Sequence, residues 1–307
     1  MTIRFACLIL ILTITFSCSS SNSLLTREAL IAYNEGKYLT SLFFAEQAIL
    51  KNPNDKDAFI VAIKSHLKLE EFDKAEEKLN QIIKLYDDPE LIYLKSQIEI
   101  SQSDYENAIL DLKEYINKKS DLANPSAYFN LAFCYFQIGE YELALNNYLK
   151  YSSLDPLNKD SYLNIAYLYG YLGNSDSAIA FYNKILAIDS TNYNALYNRS
   201  IEYQIQNNYK QALRDLENLV ELYPNDISVL MDLAKLRIKD KKYFSAINDL
   251  TKVIKIDSTQ AEAFFLRGKC FLELSRTFSA CVDFIKAGEL GYFEAYEMIK
   301  VYCKKNK

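Results

Sequence analysis

The chain contains no tryptophan, one histidine, seven glycines and five prolines in 307 residues. So few breakers, with few strand-like valine runs, leave an all-helical chain as the expectation. No glycine-rich loop is present to cradle a phosphate. A lone His66 gives no partner for a thiol or serine nucleophile, and the cysteine spacing fits no zinc pattern. Basic surplus is also missing. A net charge of -5 and a pI near 5.2 leave nothing to neutralise a nucleic-acid backbone, so no nucleic-acid partner is expected. Asp and Glu are numerous but read as solvated charges on helix faces, and none is singled out as a pair for acid–base work. These absences point to a non-enzymatic protein with no cofactor and no bound metal.

What is present is apolar. Half of the residues are hydrophobic, which excludes disorder, and 25 are tyrosine. The first 23 residues differ from the rest: Arg4, an apolar stretch from Phe5 to Phe16, then Ser17 and Cys18 followed by serines. That stretch is shorter than the roughly 20 residues that span a bilayer, so it reads as an export signal. It resembles a bacterial lipoprotein signal, although Thr15 and Phe16 depart from the usual residues. The resemblance implies a signal peptide over 1–17, a lipidated Cys18 opening a short linker over 18–23, and a membrane contact through that anchor. It implies an exported protein, placed at the periplasmic face of the outer membrane.

Beyond residue 23 one pattern recurs. From Gly139 and Tyr141 the same slots fall at Gly173 and Ser175, Asn207 and Tyr209, Lys241 and Tyr243, and Ser275 and Thr277, each a step of 34 residues. A small residue follows in step: Ala144, Ala178, Ala212, Ala246, Ala280. Upstream the frame continues through Ser103 and Glu70 to Gly36, with one interval slightly short and one slightly long. Small residues are needed where two antiparallel helices approach, and aromatic residues fill the space between neighbouring hairpins, so most tyrosines are expected in the core.

This pattern resembles the tetratricopeptide repeat, a helix-turn-helix of 34 residues. Repeat four carries most of the family's positions in Tyr128, Leu131, Ala132, Tyr135, Gly139, Tyr141, Ala144, Tyr148 and Pro156. The resemblance implies an all-α, right-handed superhelical solenoid over 24–294. Its eight repeats lie near 22–55, 56–88, 89–124, 125–158, 159–192, 193–226, 227–260 and 261–294. Ser41, Glu70 and Lys241 depart from the family's small residue and turn glycine. The sequence KAGELGYFEA near the end is similar to Sel-like repeats and implies a capping helix and tail over 295–307, with Lys304 and Lys305 at its C-terminus.

His66 falls at a large-residue slot and reads as core. The sequon Asn198-Arg199-Ser200 lies within a predicted helix. Among the remaining cysteines, Cys134, Cys270, Cys281 and Cys303, the pair Cys281 and Cys303 is placed for a disulfide, the alternative being buried thiols.

In this family the first helices line a concave groove, and ligand-facing residues fall at the second, fifth, sixth, ninth, twelfth and thirteenth positions of each repeat. That frame puts Asn130, Asn164 and Asn198 at the sixth position of three consecutive repeats, with Phe129, Phe133, Phe136, Tyr167, Tyr171 and Tyr197 beside them. The chaperone-type carboxylate clamp is absent, since its positions hold Phe129, Phe133, Leu163 and Tyr167. The resemblance implies a protein-interaction scaffold that takes an extended peptide or partner helix in the groove, with little role for charge. The alternative is a stable component of an outer-membrane assembly or secretion machine.

Overall fold

The computed structural model describes residues 24–156 and 159–303. The expected signal peptide, Cys18 and the lysines at 304 and 305 lie outside the described residues. The chain divides into two compact halves, Met1–Pro156 and Leu157–Lys307. No strand occurs among the described residues.

In the N-terminal half, α1 (24–34) and α2 (Tyr38–Lys51) form the first hairpin. It is followed by α3 (Lys56–Lys68) with α4 (Phe72–Ile82), α5 (Pro89–Ser101) with α6 (Tyr105–Lys119), and α7 (Pro125–Gln137) with α8 (Tyr141–Leu154). The C-terminal half holds α9 (Lys159–Tyr171) with α10 (Ser175–Ile188), α11 (Tyr193–Ile205) with α12 (Tyr209–Leu222), α13 (Ile227–Lys239) with α14 (Tyr243–Ile256), and α15 (Ala261–Glu273) with α16 (Thr277–Glu289). The last helix is α17 (Glu294–Tyr302). Asp55, Asp88, Asn192 and Asp226 accept backbone N–H bonds at the starts of α3, α5, α11 and α13. Pro89 and Pro125 each occupy a first helical turn, where a missing N–H costs nothing.

The tight turn inside each hairpin has one geometry throughout. Gly36, Glu70, Ser103, Gly139, Gly173, Asn207, Lys241 and Ser275 all have φ between 58° and 84°, in the left-handed region. The next residue then donates its N–H to the carbonyl five positions back, as in Glu71 to His66, Glu140 to Tyr135 and Lys242 to Arg237, at 2.8–2.9 Å. This closure satisfies carbonyls that the ending helix leaves open. Glu70 and Lys241 adopt the same turn as glycine in spite of the Cβ. The unequal intervals arise elsewhere. After α6 the chain inserts a 3-10 turn over Ser120–Leu122, opened by the positive φ of Ser120.

The small slots are filled as packing demands. Ser41, Ala75, Ala108, Ala144, Ala178, Ala212, Ala246 and Ala280 are all fully buried. Ser41 keeps its hydroxyl satisfied by donating to the Ala29 carbonyl at 2.9 Å and accepting from Ser65 at 3.0 Å. Gly268 has no room for a side chain: a Cβ there would sit 2.7 Å from the Phe284 ring. Tyr135 and Tyr148 are buried and Tyr141 half-buried, but only seven of the 25 tyrosines are buried. The expectation of a mostly tyrosine core is corrected: aliphatic residues and alanine fill it, and most phenol rings lie at its edge.

A second correction concerns the acids. Asp215, Asp249 and Asp283, 34 residues apart, are 2–3 % exposed and are not solvated. Each is met by a guanidinium: Arg199 grips Asp215 through two bonds of 2.6 and 2.8 Å, Arg267 grips Asp283 through two of 2.8 Å, and Arg237 reaches Asp249 at 2.6 Å. Burial raises the Asp249 carboxyl against the opposing pull of Arg237. These pairs tie first helix to second helix inside a hairpin, and a paired charge is what permits a buried carboxylate. His66 is 6 % exposed, with Nδ1 2.7 Å from Glu71. The sequon lies inside α11.

At the C-terminal end Ala295 buries against Phe284 and Ala287, Tyr292 stacks on Phe265 at 4.6 Å, and Tyr296 donates to the Gly288 carbonyl at 3.0 Å. Cys303, directly after α17, is bridged to Cys281 of α16. Cys134 and Cys270 are buried free thiols, and burial pushes them up to about 12 and about 11.

Two outcomes follow from the turns and the bridge. Lys241→Gly is expected to stabilise the C-terminal half by about 0.5–1 kcal/mol and Gly139→Ala to destabilise the N-terminal half by about 1 kcal/mol, read from denaturant midpoints. Since α17 spans only nine residues and buries one of them, reduction of the Cys281–Cys303 bridge is expected to cost this end about 3 kcal/mol. Peptide mapping without reductant should recover the two cysteine peptides joined, and hydrogen exchange of α17 should rise sharply on reduction.

Candidate functional site

Within the N-terminal half, the first helices of successive hairpins face a common cavity of about 530 Å³. Its wall begins with Tyr33 of α1, continues with Lys64, Leu67 and Lys68 of α3, and is centred on Glu90, Tyr93, Leu94, Gln97 and Ile100 of α5. Asn124, Ser126 and Asn130 from the start of α7 close it. Helical spacing explains the lining, because residues three or four apart share one face while the other face packs on the second helix. Leu91 and Ile98 are buried in the apolar core of this half, and Leu94 lies between that core and the cavity.

The cavity is polar at its centre. The Tyr93 hydroxyl accepts from Asn130 Nδ2 at 3.4 Å, and burial pushes the phenol up to about 12, so it stays a neutral hydrogen-bonding group. Lys64 pairs with Glu90 at 2.8 Å, whereas Lys68 is exposed and makes no ion pair among the described residues. Amide groups of Gln97 and Asn130 therefore lie beside one uncompensated positive charge. Such a wall can bond an extended backbone, which offers alternating donors and acceptors. It holds no nucleophile beside a base. No cluster of His, Cys, Asp or Glu able to hold a metal ion occurs among the described residues. A second cavity, about 650 Å³, lies between Thr26, Arg27 and Leu30 of α1 and the start of α3 at Asp55–Asp57.

Of the residues placed by sequence, Asn130 lies in the first cavity. Phe129 turns toward its own hairpin partner, edge-on to Tyr148 and Tyr151 at 5.3 Å each. Phe133 packs edge-on to Tyr105 of α6 at 6.0 Å, and Phe136 to Tyr141. These three rings are thus committed to packing. In the C-terminal half Asn164 is half-buried on α9, and Asn198 on α11 meets the Tyr182 hydroxyl. Tyr167 is 48 % exposed and stacks on Tyr171. Tyr197 donates to Asp232 at 2.6 Å, and this bond and burial raise its phenol further.

Lys64, Lys68, Tyr93 and Gln97 were not singled out in the sequence, yet the signal existed. Counted from the starts of α3 and α5, they occupy the ninth, thirteenth, fifth and ninth positions of their repeats. Tyr93 and Gln97 stand where Phe129 and Phe133 stand one repeat later.

Tetratricopeptide repeat models match residues 125–156, 159–192 and 195–226. No curated protein matches the sequence. Among solved structures, the C-terminal part of a TPR repeat-containing protein from Cytophaga hutchinsonii is 19% identical, covers 70% of this chain and 89% of its own, and superposes with a TM-score of 0.62. YrrB, described as a TPR protein with an unusual peptide-binding site, is 21% identical over 62% of this chain and 98% of its own, with a TM-score of 0.53. MamA from Desulfovibrio magneticus is 20% identical over 54% of this chain and 94% of its own, at 0.50. At these identities the likeness speaks for the fold. Residues 125–156, 159–192 and 195–226 thus match tetratricopeptide repeats, and the recurring left-handed turn and buried small slots carry the same helical-hairpin fold through the described residues of both halves.

Proposed function

We propose that this protein is a non-enzymatic scaffold that holds a segment of another protein, an extended peptide or a helix, against the α1–α3–α5–α7 face of its N-terminal half. The observation that carries this reading is the make-up of the cavity: apart from the cap residue Asn124, its lining residues fall at positions that face ligand in the repeat family. Its volume suits a few residues of chain. The description of YrrB as a peptide-binding repeat protein supports the same mode. Asn130 lines this cavity, which supports the peptide-bonding role proposed for it. Lys64 and Lys68 change one expectation, since charge now contributes and binding should weaken moderately with salt.

We further propose that the scaffold works at the bacterial envelope, tethered through Cys18. A bridged Cys281–Cys303 pair supports an oxidising compartment. Stable attachment requires more than one acyl chain, as a lipoprotein-type cysteine would supply.

Two experiments test these readings. A photo-crosslinking residue at Gln97 should capture the partner in intact cells, and the captured segment should lose affinity several-fold for Asn130→Ala, since one hydrogen bond contributes about 0.5–1.5 kcal/mol. Unchanged affinity in well-folded Asn130→Ala and Gln97→Ala variants would move the site away from this cavity, with Asn164 and Asn198 next to examine. Cys18→Ala should leave the membrane fraction and lose the mass of the lipid; retention with unchanged mass would sink the anchor.

A further inference from the structure

Behind the cavity wall, the opposite side of α5 carries an arrangement of charges that does not balance. Lys95 Nζ lies 3.0 Å from Glu99 Oε1 and 2.7 Å from Asp111 of α6. One ammonium thus serves two carboxylates. Glu99 is 8 % exposed, and its Oε2 is the one buried side-chain nitrogen or oxygen among the described residues that no hydrogen bond reaches. An unbonded, desolvated carboxylate oxygen is costly, and this one has a second carboxylate for a neighbour.

The remaining neighbours offer no relief. The α7 group closest in effect is Cys134, a buried thiol with its proton held on by burial. From α3, His66 is engaged with Glu71; from α4, Glu76 is engaged by Gln102. Among the described residues the cation paired with Glu99 is Lys95 of its own helix, already shared with Asp111.

We propose that Lys95, Glu99 and Asp111 form a proton-sensing latch between α5 and α6: one proton taken up by Glu99 gives its carboxyl a donor for the Asp111 carboxylate and tightens the helix that backs the cavity. The step is a simple protonation, with the proton supplied by solvent and the net charge of the cluster passing from -1 to zero. Asp111 lies within hydrogen-bonding reach of the Glu99 carboxyl. Burial, with a contribution from the Asp111 charge and against the bond from Lys95, pushes Glu99 up to about 7. Because this is above the ordinary carboxyl value, the folded form binds the extra proton. Its stabilisation is therefore complete below about pH 4.5 and is lost as pH rises through about 7. The latch stands whether or not the cavity binds a peptide.

The test is hydrogen exchange of α5 and α6 amides in the full chain from pH 5 to 8, corrected for intrinsic exchange, together with a carbon-13 titration of the Glu99 carboxyl. The wild-type protein should lose protection relative to Glu99→Gln by about tenfold or more across that range. The carboxyl should titrate near neutrality. A carboxyl midpoint near the ordinary glutamate value, or parallel protection profiles for the two proteins, would overturn the proposal. Should Glu99→Gln fail to fold, the titration of the wild-type carboxyl decides alone.

Discussion

Every hairpin depends on one backbone event: a single residue passes into the left-handed region, and its successor returns an N–H to the carbonyl five positions back. This reverses the chain in two residues, so the second helix must lie antiparallel to the first at close range. Close range in turn forces the small slots at Ser41 and its seven alanine counterparts, and it leaves the first helices with one free face. The turn therefore settles the packing before any aromatic contact is considered. It tolerates Glu70 and Lys241 because the strain at one residue, about 1–2 kcal/mol, is small beside the burial that the reversal permits.

Backbone geometry of this kind was legible in the sequence because its signal is periodic. Gly36, Gly139 and Gly173 announce the slot, and their spacing then identifies Glu70 and Ser103, which do not look like turn residues. What the period does not reveal is where side chains meet across helices. Arg199 and Asp215 are 16 residues apart, as are Arg267 and Asp283, but Arg237 and Asp249 are only 12 apart, and composition makes a buried aspartate look like a surface one. The aromatic residues misled for a related reason. Phe129 and Phe133 occupy ligand-facing positions, yet their size lets them reach Tyr148, Tyr151 and Tyr105, and packing takes them. Smaller or polar residues at the same positions one repeat earlier, such as Gln97, leave the space open.

The two sides of α5 illustrate how one helix serves two demands. Tyr93, Leu94, Gln97 and Ile100 face the cavity, while Lys95 and Glu99 sit with Asp111. The Tyr93 ring rests on Tyr115 of α6 at 4.9 Å as well as meeting Asn130, so one side chain belongs to both the α5–α6 seam and the cavity wall. Local electrostatics and the shape of the candidate binding surface therefore share a rigid element.

The bond between Cys281 and Cys303 also has a mechanical meaning. It closes a loop with a sequence separation of 22 residues around most of α16 and the whole of α17. If the chain is pulled from its two ends, tension passes through the sulfur atoms and bypasses that loop, which then contributes no extension. The stretched chain is shorter by about 75 Å than its residue count implies. Helix α17 lies inside the closed loop and carries none of that load.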